Sequence, residues 1–63
     1  MEAYVTAKQM AAHYAMSTDQ AYVIMHEMEI KQMPGLLRIG RLLRVRPTEF
    51  EAYLIERMKG DPQ

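Results

Sequence analysis

"YVTAKQMAAHYAMSTDQAYVIMHEM", residues 4–28, contains the same helix-start signal twice. In the first, Thr6-Ala-Lys-Gln9, the threonine hydroxyl can accept from the Gln9 N–H while the glutamine side chain reaches back to the threonine N–H, the reciprocal pattern of a capping box. Val5 and Met10 stand where a hydrophobic staple would close over that start, and Ala7, Met10, Ala11 and Tyr14 recur at helical spacing. A first helix is predicted over Ala7–Tyr14. Eleven residues on, Ser17-Thr-Asp-Gln20 repeats the cap, and Ala21, Ile24, Met25 and Met28 share one arc at about 100° per residue. A second helix is predicted from Thr18 to about Glu29. Only Ala15 and Met16 separate the last stripe residue of one helix from the cap of the next, so the two must turn sharply and pack together as a helix-turn-helix. Asp19, Val23 and His26 then face away from the packed stripe, with Tyr22 to one side.

Downstream, Met33-Pro34-Gly35 has the proline-glycine order of a type II turn. "LLRIGRLLRVR", residues 36–46, reads as a hairpin about Gly40 in one of two registers. A two-residue Gly40-Arg41 turn suits the glycine, which a type II′ turn wants first, but sets Arg38 opposite Leu43 and Leu37 opposite Arg44. A three-residue Gly40-Arg41-Leu42 loop separates the faces, with Leu37, Ile39, Leu43 and Val45 inward and Arg38 and Arg44 outward, and is preferred on burial grounds. A third capping box, Thr48-Glu-Phe-Glu51, follows Pro47, and Phe50, Tyr53, Leu54 and Met58 form a stripe ended by Gly60 and Pro62. A third helix is predicted from about Glu49 to Lys59, with residues 60–63 as a disordered tail. The fold class expected is mainly α with a small β-hairpin, a winged helix-turn-helix of three helices and a two-stranded wing.

Sixty-three residues make a single domain, because a chain this short buries only roughly 60% of its unfolded surface. A deep substrate pocket does not fit that size, Ser17 is better explained as a helix cap than as a nucleophile, and no glycine-rich phosphate loop is present, so no enzyme is expected. Hydrophobic residues make up 49% and charged residues 25%, enough apolar material for a folded core. Without cysteine, neither a disulfide framework nor a thiolate zinc site is available, and the His13–His26 pair has no carboxylate at ligand spacing. No cofactor or metal is expected. No apolar run approaches a membrane span and no export segment is evident, which suits a cytoplasmic setting. Five of the seven methionines, Met10, Met16, Met25, Met28 and Met58, fall mainly on the inward stripes or at the turn and read as core filler.

Net charge is zero, but its distribution is uneven. From Ile30 to Thr48 the bases Lys31, Arg38, Arg41, Arg44 and Arg46 meet no acid, a local balance of plus five. Met1 to Glu29 carries Lys8 against Glu2, Asp19, Glu27 and Glu29, and Glu49 to Gln63 carries Arg57 and Lys59 against Glu49, Glu51, Glu56 and Asp61. Charged strand edges discourage aggregation, but four arginines among nine residues exceed what edge protection requires and point to phosphates.

The order of these parts resembles the excisionase family, small winged helix-turn-helix proteins related to the MerR-type DNA-binding domain. The resemblance spans Tyr4 to Leu54. It rests on "YVTAKQMAAHYAMS", similar to the family's Leu-Thr-x-x-Glu-x-Ala opening; on "RIGRLLRV", similar to its Arg-Val-Gly-Arg-x-x-Arg-Ile wing; and on "RPTEFEAYL", similar to its closing helix. It implies double-stranded DNA as partner, with the second helix in a major groove and the wing crossing phosphates or an adjacent minor groove. It further implies binding as adjacent copies that bend attachment-site DNA and help an integrase excise a mobile element or prophage. A small phage or plasmid repressor would look similar, and a protein-interaction module docking on a recombinase is the alternative from another class. Carried over, the wing contacts are Arg38, Arg41 and Arg44, with Arg46 beside them. Where family members commonly have arginine or lysine after the tyrosine of the second helix, this chain has Val23. The helix contacts expected are therefore uncharged or acidic: Thr18 and Asp19 through backbone N–H groups, Asp19 and Gln20 to base edges, Tyr22 and His26 to phosphates or bases, and Val23 to a thymine methyl.

Overall fold

The computed structural model describes residues 3–60. The elements run α1 (Ala7–His13), α2 (Thr18–Ile30), β1 (Leu36–Ile39), β2 (Leu42–Val45) and α3 (Pro47–Lys59). Three helices and one antiparallel two-stranded sheet make the molecule mainly α with a small β-hairpin.

Both limbs of the first capping box form: Gln9 N–H donates to Thr6 Oγ1 at 3.0 Å and Thr6 N–H to Gln9 Oε1 at 2.8 Å. Ser17 Oγ accepts the Gln20 N–H at 3.1 Å and starts α2. Both helices end alike. After α1, Ala15 takes φ 56, Met16 N–H reaches back to the Ala11 carbonyl at 2.9 Å and Ala15 N–H to Ala12 at 3.4 Å. After α2, Gln32 takes φ 55, Met33 N–H bonds the Met28 carbonyl and Gln32 N–H that of Glu29, each at 3.0 Å. Each is a Schellman ending, in which a left-handed residue lets its own amide and the next one satisfy carbonyls that the helix leaves open. The residue two past each helix cap, Met16 and Met33, packs against the core. Neither left-handed position has the glycine that would signal it.

The third capping box does not form as expected. Arg46 is the N-cap of α3, without a side-chain cap bond, and Pro47 opens the helix, so Thr48 lies inside the first turn. Proline wins because its fixed φ suits a first helical position where the missing N–H costs nothing. Gly60, expected in the tail, caps this helix; residues 61–63 of the expected tail lie outside the described residues.

The hairpin takes the register with the two-residue turn. Leu36 pairs with Val45, Leu37 with Arg44, Arg38 with Leu43 and Ile39 with Leu42. The preferred three-residue loop is overturned, for two physical reasons. Gly40 has φ 59 while Arg41 stays on the negative side, the type II′ pattern that needs glycine first, whereas the longer loop would have set Leu42 in the left-handed place. Burial was also misjudged, because only one strand lies on the core. Strand β2 is flanked on its other side by Val5, whose N–H and carbonyl exchange bonds with Val45 at 2.9 and 3.0 Å, and it buries Leu43 and Val45. Strand β1 is the edge: Leu36 packs inward, while Leu37 and Ile39, expected inside, are exposed. Arg38, expected to point outward, shares the face of Leu43.

The core joins Ala7, Met10 and Ala11 of α1, Ala21, Ile24, Met25 and Met28 of α2, Leu43 and Val45, and Phe50 and Tyr53 of α3. Tyr14 stacks on Phe50 with ring centroids 5.7 Å apart, tying the end of α1 to α3. Met58, predicted to be inward, is exposed, although Arg57 one residue before it still reaches α2 through Glu27. At the turn before β1, Gly35 has φ 85, as the type II reading requires, and its carbonyl accepts the Arg46 N–H at 2.9 Å. Among the described residues, no helix is long and apolar enough to cross a membrane.

Candidate nucleic-acid interface

All six helix residues singled out by sequence are exposed on α2: Thr18, Asp19, Gln20, Tyr22, Val23 and His26. The fold brings them together because Ala21, Ile24, Met25 and Met28 are almost wholly buried and fix the opposite face inward. Tyr22 and His26, one turn apart, set their rings 6.3 Å apart and tilted by 31°. Val23 is 48% exposed, a methyl-bearing surface with no polar atom to satisfy.

The two glutamates further along α2 are engaged by cations from elsewhere in the fold. Glu27 accepts from Tyr53 Oη at 2.7 Å and from Arg57 Nε and Nη2 at 3.1 and 3.2 Å. The tyrosine hydrogen bond, helped by Arg57, holds its carboxyl below the usual carboxylate range against the opposing effect of desolvation. Glu29 receives both edges of the Arg38 guanidinium, through Nε to Oε2 and through Nη2 to Oε1, the latter at 2.8 Å. That fork, followed by the charge of Arg38 and of nearby His26, likewise lowers the Glu29 carboxyl. His26 Nδ1 stands 3.6 Å from the same carboxylate. Asp19, in the first turn, is the acid of α2 that enters no ion pair among the described residues.

The four arginines differ in circumstance. Arg38 is not displayed outward: besides Glu29, it donates through Nη1 to the Gly40 carbonyl at 3.2 Å, so it pins the hairpin to α2. Arg41 occupies the hairpin tip, exposed, with no ion pair among the described residues. Arg44 lies on the outward face beside Leu37, its Nη1 donating to the Leu43 carbonyl at 3.0 Å and its charge paired with no carboxylate among the described residues. Arg46 is half-buried over the Tyr4 ring, 5.7 Å from the centroid, and its buried Nε has no protein acceptor. Sequence reading had grouped the four as equals. The fold leaves Arg41 and Arg44 as the available cations and gives Arg38 and Arg46 structural contacts.

Comparison with protein-family models, with curated proteins and with solved structures finds no match. The geometry therefore stands by itself. It also shows residues that sequence reading passed over as functional: Ile39 and Leu42, 61% and 51% exposed, flank Arg41 directly across the tip. Their signal was the glycine-first turn, which places them opposite one another on the outer face.

Proposed function

We propose that this chain is a non-enzymatic double-stranded DNA-binding protein of winged helix-turn-helix architecture, with α2 as the reading helix and the β1–β2 hairpin as the wing. The observation that carries the reading is that the segment from Ile30 to Thr48 contains no acidic residue and, with Arg38 engaged by Glu29, still presents Arg41 at its exposed tip with Arg44 behind it. Phosphate neutralisation by such cations supplies affinity by releasing counterions, and the reading helix needs no cation of its own for it. What α2 must avoid is repulsion, and pairing of Glu27 with Arg57 and Glu29 with Arg38 reduces its negative charge to Asp19 at the first turn. Base reading then falls to Gln20, Tyr22, Val23 and His26, with specificity leaning on DNA shape as well as on base edges.

Within this class, the resemblance of its opening, wing and closing helix to excisionases makes a recombination directionality factor our preferred role. In that role the chain works in the cytoplasm on attachment-site DNA, as adjacent copies beside an integrase. The test is duplex binding measured against salt. Arg41→Ala combined with Arg44→Ala is expected to weaken binding strongly and reduce the salt slope by roughly two. An unchanged isotherm, or no duplex binding by the intact protein at low salt, rejects the proposal. Footprinting on DNA flanking its own gene then separates an array of adjacent copies from a lone operator.

A further inference from the structure

The outer face of the hairpin is apolar without serving the core. Leu36, Leu43 and Val45 fill the inward side, whereas Leu37, Ile39 and Leu42 sit on the other at 38%, 61% and 51% exposure. Aliphatic side chains on an exposed edge strand invite unwanted pairing, and contiguous apolar surface usually has an occupant. This face carries its own indication of which occupant. Arg41 projects from the turn between Ile39 and Leu42, Arg44 stands opposite Leu37, and no acidic residue occurs from Ile30 to Thr48. A polyanion with an apolar interior satisfies both halves of that description.

Resting on the DNA-binding reading, we infer that the hairpin tip is a minor-groove wedge: Ile39 and Leu42 press between base steps while Arg41 takes the negative potential of the groove and Arg44 a flanking phosphate. Aliphatic wedges of this kind unstack a step and kink the duplex by roughly 20–90°. The dimensions require such a kink. Two paired strands are about 4.8 Å apart before side chains are added, and an undistorted minor groove is only about 6 Å wide. The tip enters only where the groove opens, so pyrimidine–purine steps, which unstack most easily, are its preferred seats. The Arg38 fork to Glu29 and to the Gly40 carbonyl stiffens the hairpin from behind, letting it push without folding back.

The experiment uses the full chain with a duplex of roughly 30 bp, dye-labelled at both ends, carrying TpA steps or an uninterrupted A-tract at the tip position. The intact protein is expected to shorten the end-to-end distance, more on the TpA duplex. Ile39→Thr with Leu42→Thr keeps strand-favouring side chains at two exposed sites. It is expected to bind about tenfold more weakly, with an unchanged salt slope and no bend. The single variants are expected to lie between. A double variant that binds and bends like the parent overturns the wedge. So does a parent protein that dimerises, or binds anionic vesicles, in a way the double variant abolishes, because the face then has another occupant. Failure of the parent to bind any duplex overturns the wedge too and is told apart by arising before any variant is made, at the level of the DNA-binding reading itself.

Discussion

Replacing Ala15 with glycine is expected to stabilise the protein, although it deletes a methyl group and shortens nothing. Ala15 sits at φ 56 in the turn between α1 and α2, where an L-residue costs about 1–2 kcal/mol through its Cβ. Glycine removes that strain and in exchange adds about 0.4–1 kcal/mol of unfolded-state entropy. The net gain is then about 0.5–1 kcal/mol, and for a domain of this length it raises Tm by roughly 2–8 °C. Ala15 is exposed, so no core contact is lost. The control is Ala12→Gly, also exposed but inside α1, where the same change is expected to cost about 0.5–1 kcal/mol. Thermal unfolding followed by circular dichroism measures both. Gln32→Gly, at φ 55 after α2, repeats the test, and the two gains should add because they lie in separate turns. If Ala15→Gly lowers Tm as Ala12→Gly does, the Schellman account of the helix-turn-helix corner is wrong.

Gly35→Ala is expected to destabilise by more than about 1 kcal/mol, read by urea unfolding, because φ 85 disfavours any side chain and a methyl there would overlap the Cγ and Cβ of Glu49. A fully stable variant would show that the turn before β1 relaxes freely. Stability is also expected to fall with acid through Glu27. Its folded carboxyl lies below the ordinary value because Tyr53 and Arg57 favour the charged form, so its contribution is complete above the unfolded carboxylate range and is lost as pH drops through the folded value. Glu27→Gln should flatten that acid limb while leaving the neutral-to-basic side parallel to the parent, and an identical acid limb would remove Glu27 from the account.

Much of this arrangement was legible because it is local. The Thr6–Gln9 box, the Ser17 cap, the buried Ala21-Ile24-Met25-Met28 arc and the Pro34-Gly35 turn each follow from residues within a few positions of one another. The departures arise where distant partners decide. Val5 was read only as a staple, yet its pairing with Val45 makes β2 the inner strand and leaves β1 at the edge. Face separation over the hairpin assumed two half-buried strands, so it chose the wrong register although the glycine already favoured the right one. At α3 two local signals competed, proline at the first helical position and threonine as a cap, and the backbone geometry of proline prevailed. Met58 shows the limit of periodicity: it continues the stripe of Phe50, Tyr53 and Leu54 in sequence yet is exposed in the fold.

Charge was least legible along the chain and bears most on function. Summed by segment, the first half of the molecule repels phosphate; summed in space, it does so far less, because Arg38 and Arg57 cross to Glu29 and Glu27 from β1 and α3. Those pairs are part-exposed, so their direct contribution to folding is small. Their larger effect is on placement. Bidentate attachment of Arg38 to the penultimate residue of α2 links the hairpin to the end of that helix, and so connects the element carrying Tyr22 and Val23 with the one carrying Arg41. On the proposed DNA-binding reading, this arrangement separates reading from attraction: the helix would offer uncharged side chains to the bases while the available cations, Arg41 and Arg44, stand at the hairpin. On that reading an arginine absent after Tyr22 does not of itself weaken affinity, since a charge near a phosphate contributes wherever in the fold it is anchored.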